Sequence, residues 1–296
     1  MHERLSVHSV TFLGASVAEQ QSHWRALGLT RLSLIDSQLA EPGLPQLIEQ
    51  NGYSVDTVYH LFASGDDLSR VIDSAAEVGA RVVYMLTGGR GETTWDGAAE
   101  RFCAAVAPCV RHAEQAGVAL AIENASALYA DIHIAHTLRD TITLAEMAGV
   151  GICIDLFHCW AEAGLGDLLE RAMPRLEQIQ LSDYVLGDRA LPARAVPGDG
   201  AIPIETFLRQ ALAGGYAHGF DLELLGPRIE REGRFEAARR AGDAVSAMLE
   251  RLGAYGPADA WGHSPRKRWA HPPGGQGESR KGYSRWRSET VRMMPR

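Results

Sequence analysis

The sequence predicts an α/β chain folded as a (β/α)8 TIM barrel over residues 1–256, followed by a disordered basic C-terminal tail over 257–296. Eight short β-rich runs alternate with helical stretches, the pattern of βα units whose strands lie parallel. Eight such units in about 250 residues match the size of this barrel. Composition then breaks near the end of the chain. From Pro257 to Arg296 nine Lys/Arg face three acidic residues, so the tail carries +6 and residues 1–256 carry −14. The tail is rich in Pro, Gly and Ser and has no hydrophobic period, as expected of a segment that cannot bury a core.

The strands are expected at VHSVTFL (7–13), RLSLI (31–35), VDTVYHLF (55–62), RVVYML (81–86), VALAIE (118–123), GICID (151–155), QIQLSD (178–183) and FDLELL (220–225). The first seven lead into amphipathic or Ala-rich stretches, and a last helix is expected over 233–252. Gly117, Gly149 and Gly253 fall where helix C-termini favour the left-handed conformation. A doubly wound sheet would want a glycine-rich turn after its first strand, and FLGASVAEQ offers one glycine. The segment TGGRGETT (87–94) lacks the GK[ST] ending of a phosphate loop.

Bulk properties narrow the function. A hydrophobic content of 46% with 22% charged residues is that of a globular protein. The acidic body does not suit nucleic acid, and no apolar run has the roughly 18–20 residues needed to span a bilayer. The N-terminus lacks an apolar signal core. Cys103, Cys109, Cys153 and Cys159 form no CxxC pair, which fits free thiols in a cytoplasmic protein. A small-molecule substrate is therefore expected, without nucleic acid or membrane, and a homo-oligomer is compatible with these features.

In such barrels chemistry sits where strands end. The last four strands finish with Glu123, Asp155, Gln180 and Glu223. Buried polar groups are costly unless satisfied, and oxygen ligands converging from consecutive strands suit Mg²⁺ or Mn²⁺. One divalent ion held by these four residues is the expected cofactor.

These motifs bring a resemblance. AIENAS, GICIDLFH, IQLSDY and PGDGAIPIETFLRQALAGGYAHGFDLELLG resemble the sugar phosphate isomerase/epimerase superfamily with its xylose isomerase-like barrel. The layout matches over 1–253, and the specific motifs lie between 118 and 226. The resemblance implies metal ligation by Glu, Asp, His and Glu, which fall on Glu123, Asp155, Gln180 and Glu223. Gln180 departs from the histidine of many epimerases and is similar to hydroxypyruvate isomerases and bacterial 3-dehydroshikimate dehydratases. A carbonyl oxygen there hardens the site. His158, in DxxH spacing from Asp155, is expected to contact substrate, and Arg194 to bind its distal oxygens. His60, near the end of the third strand, is a further substrate-binding candidate. Asp183 is a candidate for orienting a ligand, Trp95 and Trp160 for walling the pocket, and His133 and His136 are expected at the surface.

The resemblance implies proton transfer beside a carbonyl. Glu123 and Glu223 are the expected acid/base pair, working on an enediolate that the metal stabilises. Reprotonation gives isomerisation or epimerisation of a ketose or related hydroxy-carbonyl compound. Loss of a β-hydroxyl gives dehydration of the 3-dehydroshikimate or inosose type, with His158 as the acid. An abasic-site endonuclease would need extra histidines and a basic mouth. A catalytically silent binding protein on the same barrel would lack one of the glutamates, and both are present.

Overall fold

The computed structural model describes residues 1–254, so the expected basic tail lies outside the described residues. Strands β1 (Leu5–Val7), β2 (Arg31–Ile35), β3 (Ser54–Leu61), β4 (Val82–Leu86), β5 (Ala119–Glu123), β6 (Gly151–Asp155), β7 (Leu176–Leu181) and β10 (Phe220–Leu222) form one eight-stranded sheet. Every pairing is parallel, in the order β1-β10-β7-β6-β5-β4-β3-β2. A parallel bridge between His8 and Ser33 joins β1 to β2 and closes the barrel. The expected (β/α)8 fold is present. Between β7 and β10 a short antiparallel ribbon, β8 (Asp183–Tyr184) with β9 (Arg194–Ala195), extends the mouth.

The helices alternate with the strands: α1 (Val17–Leu27), α2 (Leu44–Asn51), α3 (Gly65–Glu77), α4 (Trp95–Ala116), α5 (Leu138–Ala148), α6 (Leu156–Cys159), α7 (Leu165–Ala172), α8 (Ile204–Ala213), α9 (Pro227–Glu232) and α10 (Arg234–Arg251). Gly117, Gly149 and Gly253 do take positive φ, at 77°, 71° and 67°. Strand six matches its expected bounds, whereas the first strand does not. It ends at Val7, and Ser9–Phe12 turn into a 3-10 helix. The His8 ring accepts the Val10 amide and caps that turn, and Phe12 leaves the sheet to stack on His23 of α1. The apolar run therefore continues past the strand because the helical layer, not the sheet, buries its second half.

Side-chain alternation separates two cores. Val83, Met85, Leu120, Ile122, Ile152 and Ile154 point outward into the large core beneath the helices. Val82, Tyr84, Ala121 and Cys153 pack with Tyr59 and Ala119 inside the barrel. Buried polar residues, among them Ser6, Ser33 and Asp221, join this inner set, and its parity decides which residues reach the mouth.

Candidate metal and active site

Three residues below the mouth share the lumen face of β5 (Ala119, Ala121, Glu123), and β6 presents Cys153 and Asp155 with the same parity. Glu123 and Asp155 are their strands' last residues. Gln180 on β7 pairs in register with Asp155 and with Asp221 of β10, and Glu223 follows one residue after β10 ends. Ligand atoms of Glu123, Asp155 and His158 all lie within 4.8 Å of one another. His158 reaches them because α6 begins directly after Asp155, whose carboxylate caps that helix through the Phe157 amide at 2.9 Å.

Arg194, on β9, ties Glu223 to this cluster. Its Nη2 lies 2.6 Å from Asp155 Oδ2, 3.1 Å from Glu223 Oε1 and 3.4 Å from His158 Nε2. Its Nη1 donates to Ser182 Oγ at 3.0 Å, and the guanidinium sits 4.7 Å over the Phe157 ring. Gln180 turns its amide nitrogen toward Glu223 Oε2 at 2.7 Å and toward the Tyr84 hydroxyl at 3.1 Å. Its carbonyl oxygen faces the Cys153 thiol at 3.4 Å. Gln180 thus stands beside the carboxylates as a donor, with its oxygen directed away from them.

Electrostatics follow from crowding three carboxylates out of water. Burial, then the charges of Glu223 and Asp155, push Glu123 well above the usual carboxylate range. Burial raises Glu223 to about 7, against the pull of Arg194. Burial also acts on Asp155, but Arg194, His158 and the Phe157 amide outweigh it and hold this group low. Burial pushes the His158 imidazole down to about 4 despite Asp155, so the ring is neutral near pH 7.

A divalent cation fits this donor set. Asp155 and Glu223 share one guanidinium, while the Glu123 carboxylate, 6% exposed, has no hydrogen-bond or ion-pair partner among the described residues. A buried, unpartnered carboxylate is expensive. With all three acids ionised and Arg194 charged the cluster carries two uncompensated negative charges, which one divalent ion would neutralise. Glu123, Asp155, His158 and Glu223 are the residues that would hold it.

His60 does not join the cluster. Val58 belongs to the outer core and Tyr59 to the lumen, so alternation directs His60 outward, where Nδ1 meets Asp36 at 2.7 Å. His133 also departs from expectation, being fully buried rather than at the surface. It lies in a loop, accepts the Thr87 amide at 3.1 Å and meets the Glu123 carbonyl through Nε2 at 2.9 Å. Since an amide only donates and a carbonyl only accepts, the ring is the neutral Nε2–H form, and burial pushes its pKa down to about 3. His133 thereby steadies the main chain that carries Glu123.

Asp183 serves the loop rather than an ion. Its carboxylate accepts the amides of Gly198, Gly200 and Ile202 at 2.9, 3.0 and 2.9 Å, and that of Tyr184 at 2.8 Å. This folds PGDG against the ribbon that carries Arg194. A Cβ on Gly200 would lie 2.4 Å from Asp183 Oδ1 and from the Tyr184 carbonyl oxygen, so only glycine fits. Trp95 opens α4 and donates Nε1–H to Ile134 O at 2.8 Å, while Trp160 packs beside Tyr184, 6.3 Å between rings.

The residues missed by sequence reading are lumen polar groups. The Tyr84 oxygen also meets His8 Nε2 at 2.5 Å. Because His8 Nδ1 accepts the Val10 amide, Nε2 carries the hydrogen, and a hydrogen-bonded chain runs from His8 through Tyr84 and Gln180 to Glu223. Beneath it Asp221 accepts Ser6 Oγ at 2.7 Å and Ser33 Oγ at 2.6 Å. The only available signal was polar residues at lumen parity in otherwise apolar strands.

The fold has relatives among known proteins. The family described as xylose isomerase-like TIM barrel matches residues 17–252. A Sinorhizobium meliloti 1021 protein of solved structure is 26% identical, with a TM-score of 0.71, covering 85% of this chain and 98% of its own. The IOLI protein, solved with a binding zinc atom, is 15% identical, with a TM-score of 0.72 and coverage of 84% and 99%. D-psicose 3-epimerase from Clostridium cellulolyticum H10, solved with D-tagatose, is 16% identical, with a TM-score of 0.69 and coverage of 84% and 99%. No curated protein matches. No helix among the described residues is long and apolar enough to cross a membrane.

Proposed function

The chain belongs to the xylose isomerase-like TIM barrel family, and from that premise we propose that it is a divalent-metal-dependent isomerase or epimerase of a ketose or related hydroxy-carbonyl compound. One observation carries the reading: Glu123, Asp155, Glu223 and His158 converge in a buried cluster whose Glu123 carboxylate has no partner among the described residues. The epimerase solved with D-tagatose and the zinc atom of the IOLI protein, both on this fold, support it.

When bound, Mn²⁺ or Mg²⁺ supplies positive charge against the oxyanion that develops as a proton leaves the neighbouring carbon. The protein's own groups do the rest. Glu123 and Glu223, from strands on either side of β6 and β7, stand to remove and return the carbon-bound proton. A carboxylate raised toward neutrality is suited to both directions of that transfer. Gln180 and Tyr84 orient Glu223, His133 orients the Glu123 main chain, and Arg194 offers donors to substrate oxygens. Burial of the cluster excludes bulk water and so strengthens the electrostatic contacts to the developing oxyanion.

Dehydration through the same cluster is the second reading, favoured by His158, whose side chain is 5% exposed and 3.5 Å from Asp155. Burial holds that ring neutral, which makes it a weak acid for a departing hydroxyl, so isomerisation or epimerisation is preferred. The test is Mn²⁺-reconstituted protein offered a panel of ketoses, inosose and 3-dehydroshikimate, with isomer formation and water loss followed separately. Isomer formation with solvent-derived label at the reacting carbon supports the reading. Water loss selects the second, and turnover of nothing in the panel by metal-loaded protein counts against both.

A further inference from the structure

We propose that Arg194 is a built-in counter-ion to Asp155 and Glu223, one that a divalent cation must displace before both carboxylates can ligate it. The proposal rests on the reading that this cluster takes such a cation, and concerns how the chain governs its entry.

Every oxygen of two of the three acids is engaged. Asp155 Oδ1 accepts the Phe157 amide at 2.9 Å and Oδ2 holds Arg194 Nη2 at 2.6 Å. Glu223 Oε2 accepts Gln180 at 2.7 Å and Oε1 holds the same Nη2 at 3.1 Å. One guanidinium nitrogen thus occupies the space between the two carboxylates. An arriving ion finds only the Glu123 carboxylate unpartnered, with His158 close by. A dication and a guanidinium cannot share those oxygens cheaply, since like charges about 4 Å apart repel strongly at the low dielectric of a buried site.

The arm that holds the guanidinium is built for exchange rather than permanence. Away from the carboxylates the Arg194 guanidinium meets Ser182 Oγ at 3.0 Å and His158 Nε2 at 3.4 Å, and its buried Nε has no hydrogen-bond partner among the described residues. The Phe157 face beneath it, 4.7 Å from the guanidinium carbon, gives a cation a surface on which to slide without breaking directional bonds. The residue also sits on β9, part of a two-residue ribbon at the mouth rather than a barrel strand, so the arm can shift without disturbing the sheet. Metal entry and guanidinium release are then one event. The released donors become available to a substrate only after the ion is in place, which imposes an order of binding.

The probe is Mn²⁺ alone, titrated calorimetrically at pH 8 into metal-stripped full-length protein, Arg194→Met and Arg194→Lys. Met keeps the apolar stem and removes the charge, so affinity should tighten at least tenfold. Lys keeps the charge and should stay within about threefold of wild type. Equal or weaker binding by Arg194→Met, or Lys tightening as much as Met, overturns the proposal. Because the Met variant could fold poorly without its ion pairs, wild-type crystal structures with and without Mn²⁺ provide an independent measurement. Nη2 should move beyond 4 Å from at least one of Asp155 and Glu223 in the loaded protein, and retention of both contacts overturns the displacement. Failure of all three proteins to bind Mn²⁺ overturns the cation reading itself, whereas binding without the expected ranking overturns only the role of Arg194.

Discussion

At the scale of the residue, Glu123 and Glu223 have the same chemistry in unlike surroundings, and the difference sets what their variants should do. Glu223 is held by Arg194 and Gln180, whereas Glu123 has its main chain fixed by His133 and its carboxylate unpartnered among the described residues. Glu→Gln at either position removes a base, which should lower the rate by about 10²–10⁴-fold. Mn²⁺ occupancy measured on the same samples separates lost chemistry from lost metal. Full activity in a metal-loaded Glu223→Gln protein would sink the two-glutamate scheme. Asp155, Glu123 and Glu223 are legible in the sequence as a group because each ends a strand segment, and that position survives small errors in strand bounds. His60 is not, because its direction depends on strand parity, which a one-residue shift inverts. His133 has helical spacing from His136, yet its partners, the Thr87 amide and the Glu123 carbonyl, come from other parts of the barrel.

At the scale of the element, the loop between β9 and α8 depends on Asp183 more than on its own turn residues. Four backbone amides converge on that one carboxylate. Hydrogen bonds to a charged group contribute about 1.5–3 kcal/mol each, though not additively. Asp183→Ala should therefore lower unfolding free energy by roughly 3 kcal/mol or more, read from urea titrations. Asp183→Asn, which keeps one acceptor oxygen, should cost less, and if the two variants cost the same the carboxylate is not the organising group. PGDG is visible as a motif, but its anchor lies fifteen residues before Gly198, on β8, where nothing local in the sequence announces it. The shortened first strand has a similar cause: VHSVTFL satisfies strand composition, and its second half turns where His8 caps it and Phe12 stacks on His23.

At the scale of the whole molecule, stability should fall in acid. Burial, followed by the nearby Arg81, Arg4 and Arg31, pushes His218 down to about 3, well below the roughly 6.5 of an unfolded histidine. Between those two values the unfolded chain binds the extra proton, so stability rises with pH and is lost as pH drops from about 6.5 toward 3. His218→Gln should flatten the dependence of Tm on pH across that window, and an unchanged slope would exclude this histidine as a contributor. Residues 257–296 are proposed, on composition, to be dispensable to the barrel. Deleting them should move Tm by no more than a few degrees and leave Mn²⁺ binding unaltered, and a larger drop would move the boundary. The circular arrangement has one more consequence. The first and last barrel strands meet where β1 pairs with β10, Leu5 opposite Phe220, and His8 clasps β1 to β2. That clasp is also the first member of the chain of bonds ending at Glu223. Fastening the ring thus also sets the first link of the bonds that finish the reactive mouth, while whatever grips Asp155 and Glu223 together staples β6 to β10 across β7.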